Sequence, residues 1–183
     1  MIAGKVSVIR TAERDDAPAF GRLFNPGLPL ASLMDQKREY IIPTTEELRE
    51  VLGGVKSMGG VVNAIEDLGG EIRGFCTVRS APGDMPFGQF ALMMLDEEDY
   101  LRPIMDDIMQ YLVTEAFQRR GHHKAMVYRL DYETKIRQLY VARGFESDGF
   151  QRDILYAGGR WFDLETLTLV NPDRYAPRKR LDA

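Results

Sequence analysis

The spacing of hydrophobic residues in the second half of the chain predicts alternating strands and amphipathic helices. From Pro103 to Gly121 apolar residues recur every three or four positions, which predicts a helix that glycine ends at its C-terminal cap. The apolar run 88–95 precedes this helix and is typical of a strand buried on both faces. A further strand, 124–130, and a helix that ends before Gly144 follow. This half therefore predicts a strand–helix–strand–helix unit.

The same patterns predict the segments on either side of this unit. The predicted strands cover residues 6–10, 61–65, 72–78, 150–156 and 161–170. Two helices are predicted to begin at Thr11 and Thr44, the second ending at Gly53-Gly54, and residues 25–43 are irregular. Turns are expected at Pro82-Gly83 and Gly158-Gly159. The order predicts an α/β (α+β) single domain over residues 1–183. Its mixed, mostly antiparallel sheet has about seven strands, flanked by helices on both faces, and residues 173–183 form a flexible tail.

Composition narrows the functional classes. The chain has 183 residues, 44% hydrophobic, with a net charge of −4 and a pI near 5.3. An acidic protein of this kind is not expected to bind nucleic acid, because phosphate binding needs a basic surface. The single cysteine, Cys76, cannot form an intramolecular disulfide and fits a reducing compartment. The sequence has neither a stretch long enough to span a membrane nor a signal-peptide pattern, so a cytoplasmic protein is expected.

The order of elements resembles the GNAT N-acyltransferases over nearly the whole chain. The most specific match is similar to the family element Asn-x-x-Ala-x-x-x-Tyr-x-x-x-Gly-Phe. Its tyrosine falls on Tyr140 and its Gly-Phe on Gly144-Phe145, while Glu133 replaces its asparagine. Further residues resemble the subgroup that acetylates protein N-termini and polyamines: 144–149, Arg152, Gly159 and Asp163.

The resemblance implies an acyl-CoA-dependent N-acyltransferase. Acetyl-CoA, or a longer acyl-CoA, is the implied cosubstrate, and a small-molecule amine or a peptide N-terminus is the implied acceptor. A backbone N–H at a bulge of the central strand, near Met94 or Leu95, would polarise the thioester carbonyl. Tyr140 would protonate the departing thiolate, although its position also suits an aromatic residue of the core. Glu97 is the candidate base, within an acidic run that also suits a solvated loop.

The segment that should hold the cofactor departs from the family pattern. The family has Gln/Arg-x-x-Gly-x-Gly/Ala there, and the pattern falls on residues 100–105. Pro103 has no N–H to donate to a phosphate, and Met105 adds bulk. Asp106 and Asp107 place negative charge near the helix start, although Arg102 could reach a phosphate from the side. The cofactor-binding candidates are Met94, Leu95, Arg102, Pro103, Ile104, Met105 and Asp106, and coenzyme A is expected to bind weakly, above about 10⁻⁶ M.

Two alternatives stay open from the sequence. The departure of residues 100–105 from the family's cofactor-binding pattern favours a GNAT-fold binding or regulatory protein that has lost acyl-CoA binding. Tyr140 and the Gly-Phe pair favour an enzyme. The oligomeric state is also open between a monomer and a homodimer. No metal site is expected, because His122 and His123 have no further ligands nearby and are predicted to lie in a surface turn.

Overall fold

A computed structural model describes residues 1–24, 28–34, 41–53, 61–80 and 87–174. Three predicted features lie outside these ranges: the Gly54 end of the second helix, the Pro82-Gly83 turn, and most of the tail 173–183. Within the described residues, no helix is both long enough and apolar enough to cross a membrane.

The described strands form one sheet of eight strands in the order β1-β2-β3-β4-β5-β6-β8-β7. Neighbouring strands are antiparallel except for β5 and β6, which are parallel. The predicted sheet is confirmed, with one strand more than the sequence indicated. The bounds are β1 (Ile2–Ala3), β2 (Ser7–Thr11), β3 (Asn63–Asp67), β4 (Ile72–Ser80), β5 (Phe87–Met94), β6 (Lys124–Leu130), β7 (Glu146–Ala157) and β8 (Arg160–Val170).

Helices cover both faces of the sheet, as predicted. The helices are α1 (Ala17–Gly21), α2 (Thr45–Gly53), α3 (Ile104–Val113) and α4 (Thr134–Val141). The long helix predicted to run to Gly121 changes to a π-helical turn, Thr114–Arg119. Short 3₁₀ turns cover Arg14–Asp16, Ala31–Leu33, Glu97–Leu101 and Pro172–Arg174. Thr11 ends β2 and does not cap a helix. The following turn begins at Glu13, which exchanges capping hydrogen bonds with Asp16.

Two hydrophobic cores lie on opposite faces of β5, because successive side chains of a strand point to opposite faces. On one face, Phe90 and Leu92 pack with residues of α3 and α4. On the other face, Ala91 and Met93 pack with α1 and α2. The central strand is therefore buried on both faces, as its apolar sequence predicted.

The end of α4 has the geometry that its sequence requires. Gly144 has a φ of 83°, a left-handed conformation that favours glycine directly after a helix. The chain then turns back, and the Phe145 amide donates to the Tyr140 carbonyl at 3.1 Å. The two rings meet edge to face with centroids 4.9 Å apart. This contact fixes Tyr140 against the end of its own helix.

Strands β5 and β6 diverge along their length. They pair only from Phe87 opposite Lys124 to Phe90 opposite Val127. Beyond that point β5 continues to Met94 and β6 to Leu130 without pairing to each other. A cleft therefore opens at the carboxyl ends of the two strands, beside the start of α3.

Candidate active site

The edge of β5 that faces the cleft carries the backbone groups of Leu92 and Met94. The Leu95 amide donates to the Arg73 carbonyl of the neighbouring β4 at 2.8 Å. Since alternate residues of a strand direct their backbone groups to opposite edges, the Met94 amide points away from β4 and into the cleft. Of the two thioester donors that the sequence suggested, Met94 is thus the one that faces the cleft.

The hydroxyl of Tyr100 already occupies this edge. It accepts a hydrogen bond from the Met94 amide at 3.0 Å and donates to the Leu92 carbonyl at 3.3 Å. Tyr100 is only 4% exposed, and burial raises the pKa of its hydroxyl well above the usual range. The tyrosine is therefore a neutral group that satisfies both the donor and the acceptor of the open strand edge.

The loop between β5 and α3 holds Tyr100 in this position. Asp96 caps the 3₁₀ turn by accepting a hydrogen bond from the Glu98 amide at 3.0 Å. The buried Asp99 carboxylate lies between two guanidinium groups, 2.8 Å from Arg73 and 2.9 Å from Arg102. A buried carboxylate paired on both sides is costly to disrupt, so the turn that presents Tyr100 is firmly anchored.

Tyr140 lies in the same region and is 1% exposed. Its hydroxyl has no hydrogen-bond partner among the described residues. Burial is the main cause that raises the pKa of this hydroxyl well above its usual value. Tyr140 is consequently protonated at neutral pH and has a proton to give, the state that its predicted role requires. Its catalytic role stays a prediction.

Glu133 is a buried carboxyl at the end of β6, where the family pattern has asparagine. It is 3% exposed and accepts a hydrogen bond from the Leu130 amide. Desolvation raises the pKa of Glu133 to about 8, although amide donors from Leu130 and Ala31 oppose the shift. The hydrogen bond from the Ala31 amide joins Glu133 to the 3₁₀ turn Ala31–Leu33. This turn also touches both β5 and β6.

The predicted base, Glu97, lies at the surface beside the cleft. Its side chain is 60% exposed and faces the Lys135 ammonium at 3.4 Å. Lys135 also contacts Glu98 at 2.7 Å. This lysine partly neutralises the acidic run. The charge of Glu97 helps to raise the pKa of Tyr100, but among the described residues no hydrogen bond joins its carboxylate to Tyr100 or Tyr140. The sequence-based role of Glu97 stays a prediction.

The predicted cofactor-binding residues at the start of α3 separate into surface and core positions. Arg102 and Pro103 are exposed, whereas Ile104 and Met105 are buried in the core with α4. Asp106 is exposed and pairs with Arg143 at 2.7 Å. The bulk of Met105 suggested that its side chain covers the outer surface of the loop. Instead, the side chain packs inward against the core.

Asp107 has a structural partner that the sequence did not indicate. Its carboxylate accepts hydrogen bonds from the amides of Lys5, Val6 and Ser7 and from the Ser7 hydroxyl, at 2.8–3.1 Å. Burial works to raise the pKa of Asp107, but the backbone donors dominate and lower it. The approach is close at Gly4, where a Cβ would lie 2.3 Å from the carboxylate. Asp107 thus fastens α3 to the turn between β1 and β2.

Solved structures with a similar fold cover most of the chain. A spermidine N-acetyltransferase from Vibrio cholerae, in complex with CoA and spermine, gives a TM-score of 0.73 at 16% identity, covering 91% of this chain and 96% of that chain. A mutant form of the spermidine/spermine N-acetyltransferase SpeG from the same organism gives 0.74 at 15% identity, covering 91% and 95%. A probable acetyltransferase gives 0.71 at 17% identity, covering 91% and 94%. The chain has the GNAT fold. No family model and no curated protein matches the sequence.

In the conformation described, several backbone amides that the sequence suggested as cofactor donors already have partners within the protein. The Tyr100 hydroxyl fills the place at Met94 where a thioester carbonyl would accept a hydrogen bond. The amides of Arg102, Met105 and Asp106 donate to carbonyls of the same loop at 3.0–3.1 Å, so they are not free for a pyrophosphate. The expected bulge is also missing from the paired part of β5, since its register with β4 runs unbroken from Met94 opposite Gly74 to Gly88 opposite Ser80.

Sequence reasoning placed one histidine wrongly and missed two residues of the cleft. His122 is buried against Gly88, with its Nε2 3.3 Å from the Ser80 hydroxyl, and is not part of a surface turn. In the sequence analysis, Tyr100 stands only as the first residue of the cofactor-loop pattern 100–105, and Glu133 only as the residue that replaces the family's asparagine. The sequence signal for Tyr100 is an aromatic residue directly after four acidic residues. An aromatic ring in such a polar turn is stabilised when it is buried in the core.

Proposed function

We propose that the protein is an acyl-CoA-dependent N-acyltransferase that moves an acetyl, or another acyl, group to a primary amine. The proposal is carried by one observation. Strands β5 and β6 diverge after Phe90 and Val127, and the Met94 amide points into the resulting cleft. An amide in that position is suited to stabilise the oxygen of a thioester carbonyl. The buried, protonated Tyr140 belongs to the same hydrophobic core as Met94, and a phenol in this state is suited to protonate a thiolate.

Amines are the preferred acceptor class in this proposal. Two of the solved structures with the same fold are named as spermidine or spermidine/spermine acetyltransferases, which supports polyamines as the first acceptors to test. The exposed carboxylates Glu97 and Glu98 at the cleft also favour a cationic acceptor, although Lys135 offsets part of their charge. A peptide N-terminus is the second acceptor class.

A non-catalytic binding or regulatory protein is the second candidate function. It is supported by the hydrogen bonds of Tyr100 at Met94 and Leu92, by the proline at position 103, and by the unbroken register of β5 with β4. In this alternative the cleft between β5 and β6 binds no acyl-CoA, and Tyr100 keeps its hydrogen bonds to Met94 and Leu92 as a permanent part of the core.

A transfer assay separates the two functions. The protein is mixed with acetyl-CoA and spermidine, spermine or a short peptide with a free N-terminus, and the released CoA thiol is followed by absorbance. We expect thiol release that depends on both substrates and exceeds hydrolysis without amine. If none of the three acceptors is acetylated at saturating acetyl-CoA, the transferase proposal fails and the non-catalytic function is favoured.

A further inference from the structure

The open edge of β5 differs from an ordinary sheet edge because a side chain of the same chain covers it. After Phe90 the strand loses its neighbour β6, and an unpaired strand edge presents donors and acceptors that can pair with another molecule. Here the Tyr100 hydroxyl satisfies both the Met94 amide and the Leu92 carbonyl. A single hydroxyl thus stands where a ligand with a carbonyl oxygen would bind.

The core that holds Tyr100 and Met94 also contains a polar group without a partner among the described residues. The Tyr140 hydroxyl is buried and makes no hydrogen bond to the described residues. Buried hydroxyls are normally paired, so an unpaired one in the core that contains Met94 and Tyr100 indicates a site that is completed by something else. Tyr140, Tyr100 and Met94 belong to one hydrophobic core, which places the two phenols in one buried environment.

We propose that Tyr100 is a built-in plug of the acyl site, and that acyl-CoA binds only in the state in which Tyr100 has left Met94. The proposal rests on the proposed transferase function and adds a regulatory element to it. The thioester carbonyl takes the hydrogen bond of the Met94 amide that Tyr100 gives up. No covalent step is involved, only an exchange of hydrogen-bond partners.

The plug has a quantitative consequence for affinity. If the open state is a small fraction of the molecules, the apparent dissociation constant is the intrinsic constant divided by that fraction. The anchors of the turn, Asp99 with Arg73 and Arg102, favour the closed state. Weak coenzyme A binding is then expected for two reasons: the closed state of Tyr100 is favoured, and Pro103 has no N–H to donate to a phosphate.

Removal of the Tyr100 hydroxyl tests the plug with little change in packing. Tyr100→Phe keeps the ring but loses both hydrogen bonds, so the closed state is destabilised relative to the open one. We expect acetyl-CoA to bind about 3- to 10-fold more tightly to this variant in calorimetry, as expected for the loss of one or two hydrogen bonds. Tyr100→Ala, which also removes the ring, should bind at least as tightly as Tyr100→Phe. Tyr111→Phe, on α3 and away from the cleft, is the matched control and should bind like the wild type.

The outcomes separate the plug from the enzyme. Equal or weaker binding by Tyr100→Phe, or no binding by wild type and both Tyr100 variants, overturns the plug. Transfer by the wild type with no gain in affinity leaves the transferase function standing without the plug. A gain in affinity without transfer in any variant leaves the plug standing and removes the transferase function. Hydrogen exchange of the Met94 amide gives an independent measurement, since exchange should speed up in Tyr100→Phe and slow again when acetyl-CoA is added.

Discussion

Tyr140 offers a test in which stability and turnover respond differently. Its buried hydroxyl makes no hydrogen bond to the described residues, so Tyr140→Phe removes no interaction that stabilises the fold. We expect an unchanged or slightly higher melting temperature. If the phenol protonates the thiolate, turnover falls by about 10²-fold or more, while acetyl-CoA affinity changes little. Tyr156→Phe, on the exposed hairpin, is the control. Turnover that survives in Tyr140→Phe would assign Tyr140 to the core alone.

Glu133 makes stability depend on pH in a defined direction. In the unfolded chain a glutamate ionises near pH 4.3, whereas in the fold burial raises the pKa of Glu133 to about 8. Between these values the folded state keeps a proton that the unfolded chain has released. The free energy of unfolding therefore decreases as pH rises from about 4.3 to 8.

Glu133→Gln should flatten this dependence. Its amide oxygen can still accept hydrogen bonds from Leu130 and Ala31, but it carries no charge that must be buried. At pH 9 the variant should melt about 4 °C or more above the wild type, the shift that roughly 1–2 kcal/mol gives in a domain of this size. Glu46→Gln on the exposed face of α2 is the control. A variant that melts below the wild type at pH 9 would show that the carboxylate is stabilised by its amide donors.

At the level of elements, the two aspartates in the first turn of α3 have different functions. Asp107 is buried and receives four hydrogen bonds from residues 5–7, whereas Asp106 is exposed and pairs with Arg143. Asp107→Asn places an amide N–H₂ against N–H donors, so it should lower the free energy of unfolding by about 2–4 kcal/mol. Asp106→Asn should leave it within measurement error. Chemical denaturation of the two variants checks this, and similar losses would contradict the assignment.

The sequence predicted most elements because their signals are local. The apolar run of β5, the stripe of α3 and the Gly144 cap are each visible in a short window, and each is confirmed. Strand β1 was missed because two residues are too short to show a period. The π-helical turn Thr114–Arg119 was missed because its apolar side chains continue the helical stripe.

The contents of the cleft could not be predicted in the same way. The Met94 amide is available only because β6 diverges from β5, and Tyr100 reaches it by a turn whose anchor, Arg73, lies in a different strand. Both features depend on contacts between residues far apart in the sequence. One of the amides that donates to Glu133 likewise belongs to the distant turn Ala31–Leu33. The sequence therefore indicated which strands border the cleft, but not which side chains fill it.

At the scale of the whole molecule, the proposed activity requires a cleft that is open to acyl-CoA, whereas the structure has Tyr100 in that cleft. The GNAT fold extends over 91% of the chain in comparison with the Vibrio cholerae spermidine N-acetyltransferase, and the splay of β5 and β6 is retained. The Tyr100 hydroxyl nevertheless occupies the Met94 amide, and the turn Ala31–Leu33 touches both strands. The GNAT fold thus keeps the divergence of β5 and β6 while the Met94 amide is hydrogen-bonded to Tyr100 of the same chain.

A crystal structure of the protein soaked with acetyl-CoA tests this account most directly. The account predicts that the acyl-bearing arm lies between the diverging ends of β5 and β6, with the thioester oxygen accepting a hydrogen bond from the Met94 amide. The Tyr100 hydroxyl should have moved out of hydrogen-bond distance of that amide. Acetyl-CoA bound at another surface, with the Tyr100 contacts to Met94 and Leu92 unchanged, would contradict it.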